Sequence, residues 1–190
     1  INTAMQIIKD ESVKDLSPIP FLSLMTNSVI ATLYGLMRGN PSLILPNFAG
    51  FLSGLFCSMV YVKHQKTANT PWYILSASIM ATAIFLATKG REKILGSLGC
   101  VICIVMFASP LATIQTVLRD KNTNALPFML SLFSWLNGLL WGLYGLLVLG
   151  DPIVYGPNIV GFFCACLQLS LFAVFGMPHS APVLAEQKVF

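Results

Sequence analysis

The chain has 190 residues, of which 56% are hydrophobic and 9% charged, with a mean hydropathy of +0.78 and a formal net charge of +4. About a quarter of the residues of an ordinary soluble domain are charged, so this composition excludes a soluble globular protein and marks an integral membrane protein. The few cations sit at the ends of apolar runs, where membrane topology uses them, and this excludes a nucleic-acid partner.

Residues 1–8 form an apolar stub too short to cross a bilayer or to act as a signal peptide. The chain does not open with Met, and the stub reads as the end of a first helix whose upstream part is absent. A charged loop over 9–15 follows. Apolar runs then occupy 20–37, 41–62, 71–88, 94–118, 126–149 and 152–177, each close to the ~20 residues that a helix needs to cross roughly 30 Å of hydrocarbon. Barrel strands would need only about ten residues of alternating polarity, so the runs predict six complete transmembrane helices and no strands.

Several single residues punctuate these runs. Pro110 lies inside 94–118, where it removes a backbone hydrogen bond and predicts a kink. Pro20, Pro110 and Pro127 fall near one membrane level, and each is either a hinge or a static kink or helix start. Trp72 reads as an interfacial anchor and Trp135 as a packing residue. Tyr34-Gly35 and Tyr144-Gly145 read as interface anchors with a helix stop. Cys57, Cys100, Cys103, Cys164 and Cys166 all lie in apolar runs with no histidine beside them, so they read as small packing residues, with no disulfide, metal or cofactor implied. No Asp, Glu, Lys, Arg or His lies inside any of the six runs. A membrane enzyme needs an acid, a nucleophile or a metal set there, so no catalytic residues and no enzyme are expected.

The chain repeats itself. One half reads Gln6, charged loop, Pro20-Phe21, Asn27, Tyr34-Gly35, then "PNFAGF" from Pro46; the other reads Gln115, charged loop, Pro127-Phe128, Asn137, Tyr144-Gly145, then "PNIVGF" from Pro157. Asn47 and Asn158 are 111 positions apart. The run 71–88 belongs to neither copy, so the two copies have the same orientation and 71–88 is a solitary linker. The expected fold is all-α and membrane-integral, a parallel repeat of two three-helix bundles joined by a linker helix: residues 1–66 the first bundle with an incomplete first helix, 67–90 the linker, 91–177 the second bundle and 178–190 a polar tail. Placing 1–19, 63–70, 119–125 and the C-terminus on one side collects Lys9, Lys14, Lys63, Lys66, Arg119, Lys121 and Lys188 there, against Arg38, Lys89, Arg91 and Lys93 on the other. Seven against four makes the first side, with the C-terminus, cytoplasmic.

In this arrangement Asn47 and Asn158 face one another across a central cavity on the pseudo-symmetry axis. A carboxamide in hydrocarbon is costly unless hydrogen-bonded, and a cavity holding water or a polyhydroxylated ligand would satisfy it. The alternative is helix-to-helix glue, worth ~0.6 kcal/mol per contact; duplication at equivalent positions favours the cavity. Asn27 and Asn137, with Ala31 and Trp141 one turn along the same faces, add further amides and one indole, which suit sugar hydroxyls and C–H faces.

The stretches "ASPLATIQTVLRDKNTNALPF", "LNGLLWGLYG", Asp151 and "PNIVGFFCACLQ", with "SVKDLSPIPF", "YG" and "PNFAG" in the first half, resemble the SWEET family of eukaryotic sugar facilitators over roughly residues 1–177. That resemblance implies Asn47 and Asn158 as paired binding residues, Trp141 as one wall of the pocket, Asn27 and Asn137 as its lining one turn away, and Met106 as a bulky position favouring monosaccharides over disaccharides. It also makes Pro20, Pro110 and Pro127 three of four hinge prolines, the fourth falling before Ile1. Ala31 stands where many members carry Trp or Ser, so the pocket is lopsided.

The implied activity is uncoupled, bidirectional sugar transport by alternating access, with a monosaccharide or disaccharide as substrate, bilayer lipid as surroundings and a homo-oligomer left open. The plasma membrane is the first expectation and an endomembrane the second. The alternatives are an amino-acid or cystine exporter of the related Pro-Gln-loop group, of which no Pro-Gln pair is seen, and a non-transporting seven-helix receptor or adaptor.

Overall fold

The structure is a computed structural model that describes residues 2–14 and 16–177; the tail expected over 178–190 lies outside the described residues. All the regular secondary structure among the described residues is helical, with no strand. In chain order they form α1 (Asn2–Asp10), α2 (Ile19–Met37), α3 (Pro41–His64), α4 (Thr70–Thr88), α5 (Glu92–Met106), α6 (Ala108–Asp120), α7 (Phe128–Leu143), a π-helical turn (Tyr144–Leu149) and α8 (Pro152–Phe175). Six segments are long and apolar enough to cross a membrane, with α5 and α6 together making one and α7 and the π turn another. The sixfold expectation and the short helical stub before it both hold. Side chains such as Leu45, Leu147 and Val174 stand well exposed on these helices, as surfaces facing lipid rather than water do.

The chain divides into two compact units, Ile1–Cys103 and Ile104–Phe190. In the first, the stub α1 is held by its apolar face: Ala4 and Ile7 are fully buried, with Val13, against Cys57, Val60 and Tyr61 of α3. The Tyr61 hydroxyl donates to the Leu16 carbonyl at 2.7 Å and so ties the following loop to the same spot. Lys14 bonds Asp10 at 2.5 Å and Gln6 donates to it at 2.8 Å, which holds the Asp10 carboxyl below its usual range.

Helices gain little from the hydrophobic effect when lipid surrounds them, so close backbone approach and interhelical hydrogen bonds carry their association. In α2 and α3 a Cβ built on Gly54 would lie 2.8 Å from the Met25 nitrogen, a separation only glycine permits. α4 joins this unit through α2, where the buried hydroxyls of Thr26 and Ser76 bond at 2.7 Å. The second unit repeats the scheme. A Cβ on Gly138 of α7 would lie 2.8 Å from the Phe162 nitrogen of α8, and Val117, Leu126, Leu171 and Phe172 form a core against which Phe128 packs edge-on, its ring centroid 5.2 Å from that of Phe172.

The prolines fall into two groups. Pro20 occupies the first turn of α2 and Pro127 caps α7, positions where the missing N–H costs nothing. Pro110 is different: the helix is interrupted at Phe107, between α5 and α6. The interruption falls one turn before the proline because its ring collides with the carbonyl four residues earlier, that of Met106.

Candidate functional site

The repeat positions its polar residues by identical local devices. α3 starts at Pro41 behind Asn40, whose side chain accepts from the Ser42 N–H at 2.9 Å; α8 starts at Pro152 behind Asp151, whose side chain accepts from the Ile153 N–H at 3.0 Å. Both are N-caps that satisfy an orphan donor. Five buried positions on α3 recur on α8 at the same spacing of 111: Leu43 with Val154, Gly54 with Ala165, Cys57 with Gln168, Val60 with Leu171, and Tyr61 with Phe172. The two helices therefore bury the same stripe. Asn47 and Asn158 are equivalent on them.

The two carboxamides adopt one geometry. Asn47 Nδ2 donates to the Leu43 carbonyl and Asn158 Nδ2 to the Val154 carbonyl, each at 2.7 Å, each four residues back in its own helix. Both residues are half-buried. Among the described residues neither amide bonds a neighbouring helix. A carboxamide offers two N–H donors and an oxygen with two lone pairs. One donor fixes the rotamer; the other donor and Oδ1 are left for a ligand or water.

The hairpin contacts set what stands level with each amide. Met25 lies at Gly54, Ser28 at Gly50 and Leu43 at Gly35, an antiparallel register that brings Ala31 level with Asn47. In the second unit Phe162 lies at Gly138, Ile159 at Gly142 and Tyr155 at Gly145, which brings Trp141 and Gly142 level with Asn158. The residue level with the PN asparagine thus differs between the units, Ala31 in one and Trp141 in the other. The Trp141 ring stands edge-on to Tyr144 with centroids 5.7 Å apart, which fixes its plane. Trp135 packs on Phe162 at 5.9 Å, as a packing residue should, and Trp72 is exposed.

The remaining expected residues differ between the units. Asn27 is half-buried, and its Oδ1 accepts from the Cys103 thiol at 3.4 Å. Cys103 therefore has a polar partner in addition to the packing role expected of it. Asn137 is exposed, as is Met106 at the end of α5. Among the described residues no group of His, Cys, Asp and Glu could hold a metal.

The π turn was not expected. Asn27 and Asn137, Ala31 and Trp141, and Gly35 and Gly145 are separated by 110 positions, whereas Asn40 and Asp151 are separated by 111. The second half carries one extra residue between its Tyr-Gly pair and the next helix. An inserted residue in a helix is accommodated as a π bulge. Tyr144–Leu149 is that bulge, and both halves close with the same bond, Asn40 N–H to Gly35 carbonyl at 2.9 Å and Asp151 N–H to Gly145 carbonyl at 3.0 Å. Tyr144-Gly145 consequently does not end its helix. The shift from 110 to 111 was the available signal.

A family model described as sugar efflux transporter for intercellular exchange matches residues 1–69 and 93–180. The chain belongs to this family, the SWEET transporters. The unmatched stretch between the two segments contains α4. Among similar proteins, bidirectional sugar transporter SWEET7 of Arabidopsis thaliana is 32% identical over 98% of this chain and 77% of its own. Sugar transporter SWEET1 of Drosophila pseudoobscura pseudoobscura is 30% identical over 88% of this chain and 78% of its own. A solved eukaryotic SWEET transporter superposes with a TM-score of 0.81 at 26% identity, covering 92% of this chain and 86% of that one. The fold is therefore that of SWEET transporters, a class of transporters and not of enzymes. The family match sets aside the exporter and receptor alternatives.

Proposed function

We propose that this chain carries a sugar, preferentially a monosaccharide, across a membrane in both directions, by alternating access and without ion coupling. The observation that carries the reading is the equivalent pair of half-satisfied amides, Asn47 and Asn158, set by the same local bond in a chain whose relatives are named bidirectional sugar transporters. These amides bond sugar hydroxyls, and the Trp141 ring takes the apolar C–H face. Asn27, Asn137, Ala31 and Met106 complete the lining, with Met106 restricting its length. Pro20, Pro110 and Pro127 serve as hinges, and residues 67–90 link a first bundle over 1–66 to a second over 91–177.

Uncoupled movement is supported by the absence of any titratable side chain from the six apolar runs, since intramembrane ionisable groups are the usual machinery of ion and proton coupling. The seven-to-four distribution of cations supports a cytoplasmic C-terminus, and the plasma membrane is the membrane we favour. Lipid covers the exposed apolar faces, and homo-oligomerisation through one of them is compatible with the same reading.

Uptake of labelled glucose and sucrose by transporter-deficient cells expressing the chain tests this proposal. Glucose should equilibrate from either side at an initial rate unchanged by a protonophore or by sodium replacement, with sucrose slower. Accumulation above the external concentration would contradict uncoupled transport, and preference for sucrose would contradict the monosaccharide assignment.

A further inference from the structure

On the flank of α3 away from α1, a groove of about 480 Å³ opens between α2, α3 and α4. Its walls are apolar, with Leu55 and Met59 of α3, Met25 of α2 and Met80 of α4 prominent; Leu55 and Met59 are exposed to the surroundings of the helices. Lys63 and Tyr73 line it where α3 ends and α4 begins. The stub α1 packs instead on Cys57, Val60 and Tyr61, so it does not fill the groove. Lys63 makes no ion pair among the described residues.

A second observation lies inside. Ser58 also lines the groove, is 8% exposed, and its hydroxyl oxygen is buried with no hydrogen-bond partner. A buried unpartnered hydroxyl costs ~1–3 kcal/mol, so its retention on a groove wall points to a ligand atom that completes it. Ser58 lies five residues before Lys63 on one helix, a rise of about 7.5 Å. From the membrane surface inward, the groove thus presents an unpaired ammonium, then a hydroxyl donor, then an apolar trough of flexible methionines that fit irregular chains.

A glycerophospholipid presents the complementary series: an anionic phosphate, then ester carbonyls, then an acyl chain. We propose that this groove is a binding site for one anionic phospholipid, with its phosphate on Lys63, an ester carbonyl accepting from Ser58, and an acyl chain along Met25, Leu55, Met59 and Met80. The site is lateral to the polar residues assigned to sugar and does not depend on that assignment.

The test is native mass spectrometry of the full chain in detergent, offered dioleoyl phosphatidylglycerol or dioleoyl phosphatidylcholine. The chain should retain one phosphatidylglycerol with about fivefold preference, the ~1 kcal/mol that a basic residue near the surface contributes. Lys63→Gln should abolish the preference and Lys93→Gln, on the opposite side, should keep it. Ether-linked phosphatidylglycerol, which lacks the carbonyls, should bind about two- to tenfold more weakly than the ester form, and Ser58→Ala should erase that difference. Leu55→Trp should displace both lipids by filling the trough. Equal retention of the two lipids by the unsubstituted chain, a preference that survives Lys63→Gln, retention that survives Leu55→Trp, or a second copy of the chain cross-linked through Met59→Cys would each overturn the proposal.

Discussion

The hairpins α2–α3 and α7–α8 are two solutions to one packing problem. Both start their second helix with a cap and a proline, bury the same stripe, and turn the PN asparagine back onto the carbonyl four residues earlier. Gly35 and Gly145 are common to both, but the hairpins differ in which helix supplies the glycine at the other close approach. In the first, Gly54 on α3 admits the backbone of Met25; in the second, Gly138 on α7 admits the backbone of Phe162, and α8 has Ala165 where α3 has Gly54. They differ again at the residue level with the asparagine, Ala31 against Trp141. Positions that fix backbone and amide geometry are thus held in common, while bulk beside the amide is free to vary.

The glycine exchange gives the largest expected effect on stability. Gly54→Ala and Gly138→Ala each drive a methyl into backbone and should cost ~1–3 kcal/mol, read as a fall in Tm of the protein in detergent. Gly50→Ala meets the Ser28 hydroxyl, which can rotate away, and Gly142→Ala meets a methylene of Ile159 at 3.3 Å; both should cost less than ~1 kcal/mol. Equal losses at all four positions would mean that close backbone approach does not hold the hairpins.

The asymmetry beside the amides is tested next. Trp141→Ala should raise the KM for sugar by the equivalent of ~1–3 kcal/mol through loss of a stacking surface, whereas Trp135→Ala, packed on Phe162, should leave KM near that of the unsubstituted chain and lower Tm. A matching rise in KM for both would assign the effect to general loosening of the second unit.

The smallest effect concerns the π turn. Deleting Val148 should convert Tyr144–Leu149 to ordinary helix, give the second half the spacing of the first, and cost less than ~1 kcal/mol, because the bulge only stores the extra residue. Deleting Leu36 removes a residue that the first half does not have to spare, between Gly35 and Asn40, and should lower Tm much further. A Val148 deletion as damaging as the Leu36 deletion would show that the bulge is needed for the close of the hairpin.

The sequence made some of this legible and hid the rest for identifiable reasons. Six spans could be counted because run length and lack of charge depend on the bilayer alone, and the repeat could be aligned because Pro-Asn-x-x-Gly-Phe is rare enough to be an anchor. The bulge was visible only as a change of spacing from 110 to 111, which says that a residue is extra without saying whether a loop or a helix takes it up. The thiol of Cys103 meeting Asn27 joins residues 76 positions apart, and no local pattern announces such a contact. The kink that Pro110 predicts within 94–118 falls at Phe107, because the ring clash acts on the preceding turn. The equivalence of Asn47 and Asn158 could be read directly, but not that each amide spends one donor on its own helix, which depends on a side-chain rotamer rather than on residue type.

The central claim is that these two half-satisfied amides bind the sugar. It is tested most directly by initial glucose uptake in Asn47→Ala and Asn158→Ala chains at equal surface expression. Because the spent donor bonds a carbonyl already held within the helix, each substitution should leave Tm and membrane insertion nearly unchanged while abolishing uptake, and it should do so equally in the two halves. Uptake near that of the unsubstituted chain in either variant would contradict the account.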